Sequence, residues 1–288
     1  MDWVNTIVQG VLLGGLYAMF ATGLSLMFGI MRLVNIAHGD FIVLASYLAL
    51  VVVTSLGLSP LISLVIVVPL MFVIGYVLQR YLLNKTLGDD ILPPLLVTFG
   101  MSIILQNVLL EVFSADSQKL SAGALDIASI TVSDQLSVGV MPLIVFISGV
   151  AIVGGLQFLF YKTELGRAFR ATSDDQDTAR LMGVNNSHIF ALAMAIAMAV
   201  VAIAGVFLAM RTNFDPTVGP ARLLYGFEAV IIGGLGSLWG TLAGGIILGV
   251  AQAVGAQIDP GWQIMTGHIV FLVILIFRPR GLFPRSVD

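Results

Sequence analysis

The chain has 288 residues, 58% of them hydrophobic, and a mean hydropathy of +1.04. Only 10% are charged, against about a quarter in a soluble domain, and a net charge of −3 with no basic run excludes a nucleic-acid footprint. Without cysteine, thiolate metal sites, disulfides and thiol catalysis are excluded as well.

A bilayer core about 30 Å thick takes about 20 apolar residues per helix. Runs of that length recur along the whole chain, and the short alternating segments of a membrane barrel are missing. The predicted fold class is therefore an all-α polytopic integral membrane protein with eight or nine transmembrane or re-entrant helices, organised as a single transmembrane domain over residues 1–288. The first run, 4–29, lacks a basic leader and is read as a retained helix. Spans follow at 40–57, 60–83, 91–113, 139–161 and 187–210. A glycine-rich pair comes next, at 224–238 and 241–257, and a last span covers 262–278. The segment "YGFEAVIIGGLG" is short for a crossing and reads as re-entrant or tilted, which is allowed only where protein or a cavity covers the backbone.

Lys and Arg in the short connections set the orientation. Placing the loop 162–186 in the cytoplasm puts Lys162, Arg167, Arg170 and Arg180 there. Alternation adds Arg32, Arg80, Lys85, Arg278, Arg280 and Arg285, and leaves Lys119, Arg211 and Arg222 outside. Ten of the 13 basic residues are then inside, provided that 224–257 crosses twice. The N-terminus is expected outside and the C-terminus inside. The outer connection 114–138 is a solvated connector or a docking surface, and its "SITVS" suits a short strand.

Between the first two spans, "GIMRLVNIAHGDFIVLAS" (29–46) crowds Arg32, Asn35, His38 and Asp40 together. In one reading this is a capped turn, with Asn35 and His38 satisfying free backbone groups and Asp40 at a helix N-terminus. In the other, the helix breaks inside the membrane and "NIAHGD", including Gly39, lines a substrate path. In the fourth span Thr98, Ser102 and Gln106 are four apart and share a face, which Asn107 adjoins. That face suits a cavity wall, although Ser and Thr also bond within their own helix. Glu228 is read as a buried acid or as one that snorkels to the outer interface, the second being preferred. Gly236, Gly240 and Gly244, and Gly245 and Gly249, make small-residue stripes. These serve tight helix packing or, alternatively, a discontinuous helix beside a path.

The loop "KTELGRAFRATSDDQDTARLMGVNN" reads as a compact cytoplasmic helix over 174–182, capped by Ser173. Asp174, Asp175 and Asp177 fall in its first turn, and Gly183 is its C′ residue. For catalysis there is little: His38, His188 and His268 have no ligand spacing, and neither HExxH nor GxSxG nor a P-loop occurs. No catalytic or metal-binding residue is assigned, and any ATP chemistry belongs to another chain.

Several stretches resemble one family. "GLSLMFGIMRLVNIAHGDFIVLASY", "VTFGMSIILQN", "LGRAFRATSDDQDTARLMGVN", "AVIIGGLGSLWGTLAGGIILG" and "FRPRGLF" are similar, in this order, to segments of LivH-type permeases. These are membrane subunits of the branched-chain amino acid class of bacterial ABC importers. The resemblance implies a pseudo-repeated core similar to that of ribose-type ABC permeases, in the inner membrane. It implies two ABC ATPase subunits holding ATP and Mg, a second permease of LivM type and a periplasmic substrate-binding protein; no cofactor is expected on this chain. It implies a substrate path through Asn35, His38, Gly39, Asp40, Thr98, Ser102, Gln106 and Glu228. Coupling to the ATPase falls to Gly166, Arg167, Arg170, Asp175, Ala179, Arg180, Leu181, Met182 and Gly183. Glu228 departs from the lysine or small residue expected after "YGF", which leaves amino acids, amides and urea as substrates. Outside the resemblance, a stand-alone secondary transporter would need deep carboxylates, with Asp40, Glu111 and Glu228 the candidates. A membrane enzyme would need a convergent acid, base or metal set.

Overall fold

The structure, a computed structural model, describes residues 3–88, 90–133 and 136–283. Its helices are α1 (Trp3–Met31), α2 (His38–Leu56), α3 (Pro60–Tyr81), α4 (Leu92–Phe113), α5 (Ala124–Ile127), α6 (Val140–Lys162), α7 (Glu164–Asp174), α8 (Gln176–Leu181), α9 (Asn186–Arg211), α10 (Gly219–Gly233), α11 (Leu238–Ile258) and α12 (Gln263–Phe277). Eight helical segments among the described residues are long and apolar enough to cross a membrane. The 15-residue α10 is a further, shorter one, and it starts at Gly219, five residues before the predicted start. The segment "SITVS" does form a strand, β1 (Ser129–Ser133), which pairs antiparallel with β2 (Leu136–Gly139).

The apolar pattern of α1 and α9 runs all the way round, so neither has a face suited to water or a one-sided core. Both are accordingly central: 83% and 78% of their most apolar windows are buried, against 17% for α4 and 6% for α12. The core has an internal symmetry. Helices α1 and α9 pack on each other; α11 packs along α1 as α3 packs along α9, and α10 lies on α1 as α2 lies on α9. The outlying α12 touches α10 as α4 touches α2. Because α1 and α9 start at opposite ends of the bundle, the two halves have inverted topology, an arrangement of many transporters.

One end of the bundle collects the basic connections. Ser173 Oγ donates to the Gly29 carbonyl at 2.7 Å, Asn84 Nδ2 to Ser187 O at 2.9 Å, and Leu282 N to Ile232 O at 2.9 Å. Arg32, Arg80, Lys85, Lys162, Arg167, Arg170, Arg180, Arg278 and Arg280 thus share one face; Arg285 lies outside the described residues. The opposite, hairpin-bearing end joins Thr6 to Gln257 and pairs Gln118 with Phe214. The pair at 224–257 crosses twice, as α10 and α11. Arg222, expected in an outer connection, instead lies in the first turn of α10.

The glycine stripes are packing devices. Gly240 and Gly244 lie against Gly233 and Ala229 of α10, while Gly245 and Gly249 meet Gly10, Gly14 and Ala18 of α1. Gly236 is not in the stripe; it sits in the turn between α10 and α11 at φ +79°.

The loop after α6 corrects a prediction. In place of one helix over 174–182 there are two. Thr163 caps α7, its Oγ1 accepting from Gly166 N at 3.1 Å. Asp175, not Ser173, caps α8: its carboxylate accepts from Asp177 N at 3.0 Å, Thr178 N at 3.1 Å and Thr178 Oγ1 at 2.6 Å. The Thr178 hydroxyl, followed by the backbone donors, holds the Asp175 carboxyl below the usual carboxylate range. A depressed carboxylate stabilises above its unfolded value and fades only as pH falls through the folded one, so this cap is intact at neutral pH. Ser173 fails as a cap because it is inside α7, and its hydroxyl goes to α1 instead. Gly183 does end α8, at φ +88°, with Val184 N closing on Ala179 O at 3.0 Å.

Candidate translocation site

Helix α1 ends at Met31 on the basic face. The chain then turns at Arg32, at φ +52°, and residues 32–37 climb back beside α1 without forming a helix. His38 opens α2 at the level of Phe20, whose carbonyl accepts from His38 Nε2 at 2.8 Å. Phe20 lies eleven residues up α1 from Met31, a rise of about 16 Å at 1.5 Å per residue. Non-helical backbone therefore sits at membrane depth, which lipid would not tolerate. Here protein covers it: Leu33, Asn35 and Ala37 are all buried. Asn35 supplies the turn chemistry, its Oδ1 accepting from Ala37 N at 3.0 Å and its carbonyl from His38 N at 3.2 Å.

The inverted half repeats the break. After α9, residues 212–218 descend from the hairpin end, pinned by the Gln118–Phe214 pairing and by Tyr47 against Phe214. Helix α10 then starts at Gly219 beside the start of α2. The contact is between backbones. A Cβ on Gly39 would land on the Gly219 carbonyl and 2.9 Å from Leu223 N; a Cβ on Gly219 would land on the Asp40 carboxylate, 2.9 Å from Asp40 N. The two half-helices thus meet N-terminus to N-terminus. Each such end carries about half a positive charge, and the Asp40 carboxylate lies at the junction.

Asp40 also holds α4. Its Oδ2 accepts from Ser102 Oγ at 2.5 Å and its Oδ1 from Gln106 Nε2 at 3.0 Å. One turn below, Ile36 N donates to Thr98 Oγ1 at 3.2 Å. The predicted stripe of α4 is therefore one face, and it meets the broken segment. Asn107 is not part of it; that side chain is exposed and donates to Ile103 O at 2.7 Å. Seven of the eight predicted pathway residues, Asn35, His38, Gly39, Asp40, Thr98, Ser102 and Gln106, come together here. The polar turn and the break in the helix coincide: Asn35 Oδ1 satisfies Ala37 N and His38 binds the Phe20 carbonyl, whereas neither α2 nor α10 has a side-chain cap. Asn35 Nδ2 and His38 Nδ1 remain buried without a partner.

Glu228 lies apart from that cluster and does not snorkel. It is 2% exposed and accepts from His268 of α12 through its Oε1, because α10 turns it toward the bundle. Around it is a second polar group that the sequence reading missed. Tyr225 stacks between His268 and Tyr17, at 6.5 and 5.1 Å between ring centroids, and Tyr17 Oη donates to Gln252 Oε1 at 2.6 Å. Single polar residues at scattered positions in four apolar helices gave no spacing to notice.

The basic face presents the other predicted set. Leu181 and Met182 at the end of α8 are 87% and 81% exposed. Arg167 is exposed and pairs with Glu164 at 3.2 Å, and Arg180 is exposed as well. Three expectations change. Ala179 is buried within this chain and offers no outward contact. Arg170 is bound internally, donating to the Phe160 carbonyl and lying 5.1 Å over the Tyr161 ring. Gly166 is buried in the first turn of α7 and offers no outward contact; a side chain there would strike the Leu159 and Phe160 carbonyls.

Interrupted helices meeting inside a bundle of membrane-length helices, in an inverted repeat, define a multi-pass permease. The chain belongs to the family described as the permease component of the branched-chain amino acid transport system, which it matches over residues 6–278. It is LivH-type, in a family of transport permeases and not of enzymes. It is 31% identical, over 98% of its length and 96% of the relative's, to the high-affinity branched-chain amino acid transport system permease protein BraD of Pseudomonas aeruginosa. It is 26% identical to LivH of Escherichia coli K12 over the same shares. The fructose import permease protein FrcC of Rhizobium meliloti is 28% identical over 84% of this chain and 69% of that one. Among solved structures, PsaBC from Streptococcus pneumoniae in complex with Fab superposes with a TM-score of 0.50 at 16% identity, covering 96% and 92% of the two chains. That likeness concerns the fold alone.

Proposed function

We propose that this chain is the membrane-spanning permease subunit of an ABC importer in the bacterial inner membrane, moving a branched-chain or related amino acid into the cytoplasm. A periplasmic binding protein delivers the substrate. Two ABC ATPase subunits, which hold ATP and Mg, supply the work, and a second permease of LivM type completes the pathway. The whole chain acts as a single permease unit and binds no cofactor. The observation that carries this reading is the head-to-head meeting of α2 and α10 at membrane depth: half-helices whose non-helical connections are buried in protein can shift against each other without exposing backbone to lipid. Asp40, Ser102 and Gln106 connect that junction to α4, so a movement of α4 reaches the substrate path. The experiment is reconstitution of the complete complex in proteoliposomes, with labelled leucine, isoleucine, valine and urea offered through the binding protein. ATP-dependent accumulation of an amino acid is expected; accumulation of urea alone, or uptake without ATP, would overturn the assignment.

Coupling runs through α8. Leu181 and Met182 are apolar groups held out on a capped helix, and burying each in a partner gains about 1.5–3 kcal/mol. An exposed ion pair such as one to Arg167 or Arg180 contributes only ~0–1 kcal/mol. Leu181→Asp is therefore expected to detach the ATPase and cut uptake roughly tenfold or more, while Arg167→Ala is mild. Co-purification of the ATPase with each variant checks this; full retention by Leu181→Asp would refute the coupling role of α8.

The basic face is assigned to the cytoplasm by the bias of its Lys and Arg. A reporter inserted near Ala122 is then expected to read periplasmic, and one fused to the C-terminus cytoplasmic. Finding both on the same side would contradict the double crossing by α10 and α11.

A further inference from the structure

Two cations away from the basic face stand against the charge bias. Arg211 ends α9 and Arg222 lies in the first turn of α10, on either side of the descending segment 212–218. Arg211 Nη1 and Arg222 Nε are buried with no hydrogen-bond partner, and neither guanidinium is in a salt bridge among the described residues. Both guanidiniums lie within electrostatic reach of the Tyr17 hydroxyl. Tyr225 forms a wall there, and Arg222 acts on it as well. On the same side, the 2% exposed Glu228 keeps Oε2 unpartnered and the 1% exposed Gln252 keeps Nε2 unpartnered. An ionisable group inside a membrane protein is costly and is retained for a pathway or a partner. Unpaired buried guanidinium donors lack an anion, and a carboxylate fits their planar fork.

We infer that Arg211 and Arg222 form a receiving site for the carboxylate of the transported amino acid, between α1, α9 and α10 on the way to the α2–α10 junction. The inference rests on the amino-acid reading above. Two open cationic donors together with one open acidic acceptor suit a zwitterion better than a plain anion. Because the carboxylate is common to all amino acids, the site recognises the class and leaves side-chain selection to other surfaces.

The test uses the complete complex in proteoliposomes, with labelled leucine supplied by saturating binding protein. Arg222→Gln and Arg211→Gln are each expected to lower the leucine moved per ATP hydrolysed about tenfold, with affinity for the leucine-loaded binding protein retained. Arg222→Lys restores the charge without the fork and should recover part of the loss. Undiminished leucine per ATP in both Gln variants would overturn the inference while leaving the amino-acid reading intact. A parallel fall in affinity for the binding protein would also overturn it, by assigning the two arginines to docking. So would loss of the assembled complex in Gln and Lys variants alike, which would make them structural. If the unmodified complex accumulates no amino acid at all, it is the underlying reading that fails.

Discussion

Asp40→Ala should abolish most uptake and lower the melting temperature of the purified permease by several degrees. The substitution removes the acceptor of both Ser102 and Gln106, two groups held inside the bundle at 2.5 and 3.0 Å from the carboxylate. An unsatisfied buried donor costs about 1–3 kcal/mol; the buried Ser102 bears that cost, while the half-buried Gln106 keeps the Ser102 hydroxyl as an acceptor at 3.1 Å. The two helix N-termini also lose the negative charge between them. Because α4 is held to α2 here and by the stack of Phe113 on Tyr47 at 4.4 Å, this end of α4 should loosen first. Asp40→Asn keeps the volume and one carbonyl acceptor and should fall between the two. Thermal unfolding in detergent and uptake in proteoliposomes, measured on both variants, decide the matter. Wild-type melting and wild-type uptake in Asp40→Ala would mean that something else positions α4.

Gly39→Val should leave no folded permease in the membrane. A side chain there would occupy the place of the Gly219 carbonyl, and the obstruction is backbone on both sides, which cannot step aside as a flexible side chain would. Gly219→Val should fail because its side chain would displace the Asp40 carboxylate and press on Asp40 N, 2.9 Å from the added Cβ. Gly100 in α4 provides the control, since nothing lies within 4 Å of a Cβ at that position. Gly100→Ala should be neutral or stabilising by about 0.5–1 kcal/mol, the ordinary gain from replacing a helical glycine. The amount of monodisperse protein extracted from membranes separates the cases. A well-behaved Gly39→Val permease would show that α2 and α10 do not meet as closely as described.

Much of the architecture is legible in the residues, because a bilayer enforces a simple rule of length and polarity. The spans, the short α10 and the double crossing follow from it. So does the α4 face, since Thr98, Ser102 and Gln106 recur at helical spacing. Errors arise where a local signal has two physical outlets. Ser173 has the chemistry of a cap, but so does Asp175, and only tertiary packing sends the Ser173 hydroxyl to Gly29. Glu228 could equally seek water or a partner, and the partner, His268, is 40 residues away on another helix. The arginines gave the least away. Counted as loop charges they look like exceptions to a bias, and only the start of α10 at Gly219 brings Arg222 into the bundle.

The meeting of α2 and α10 also has an electrical side. The two half-helices point in opposite directions, so their dipoles oppose each other along the membrane normal. Moving one elementary charge through a potential of 100 mV is worth about 2.3 kcal/mol, and each helix end counts for about half a charge. A rearrangement that moves both ends symmetrically therefore does almost no work against the membrane voltage. The voltage acts on this junction when the two ends shift unequally or in the same direction. Opposed, equal displacements leave the pathway indifferent to swings of the membrane potential.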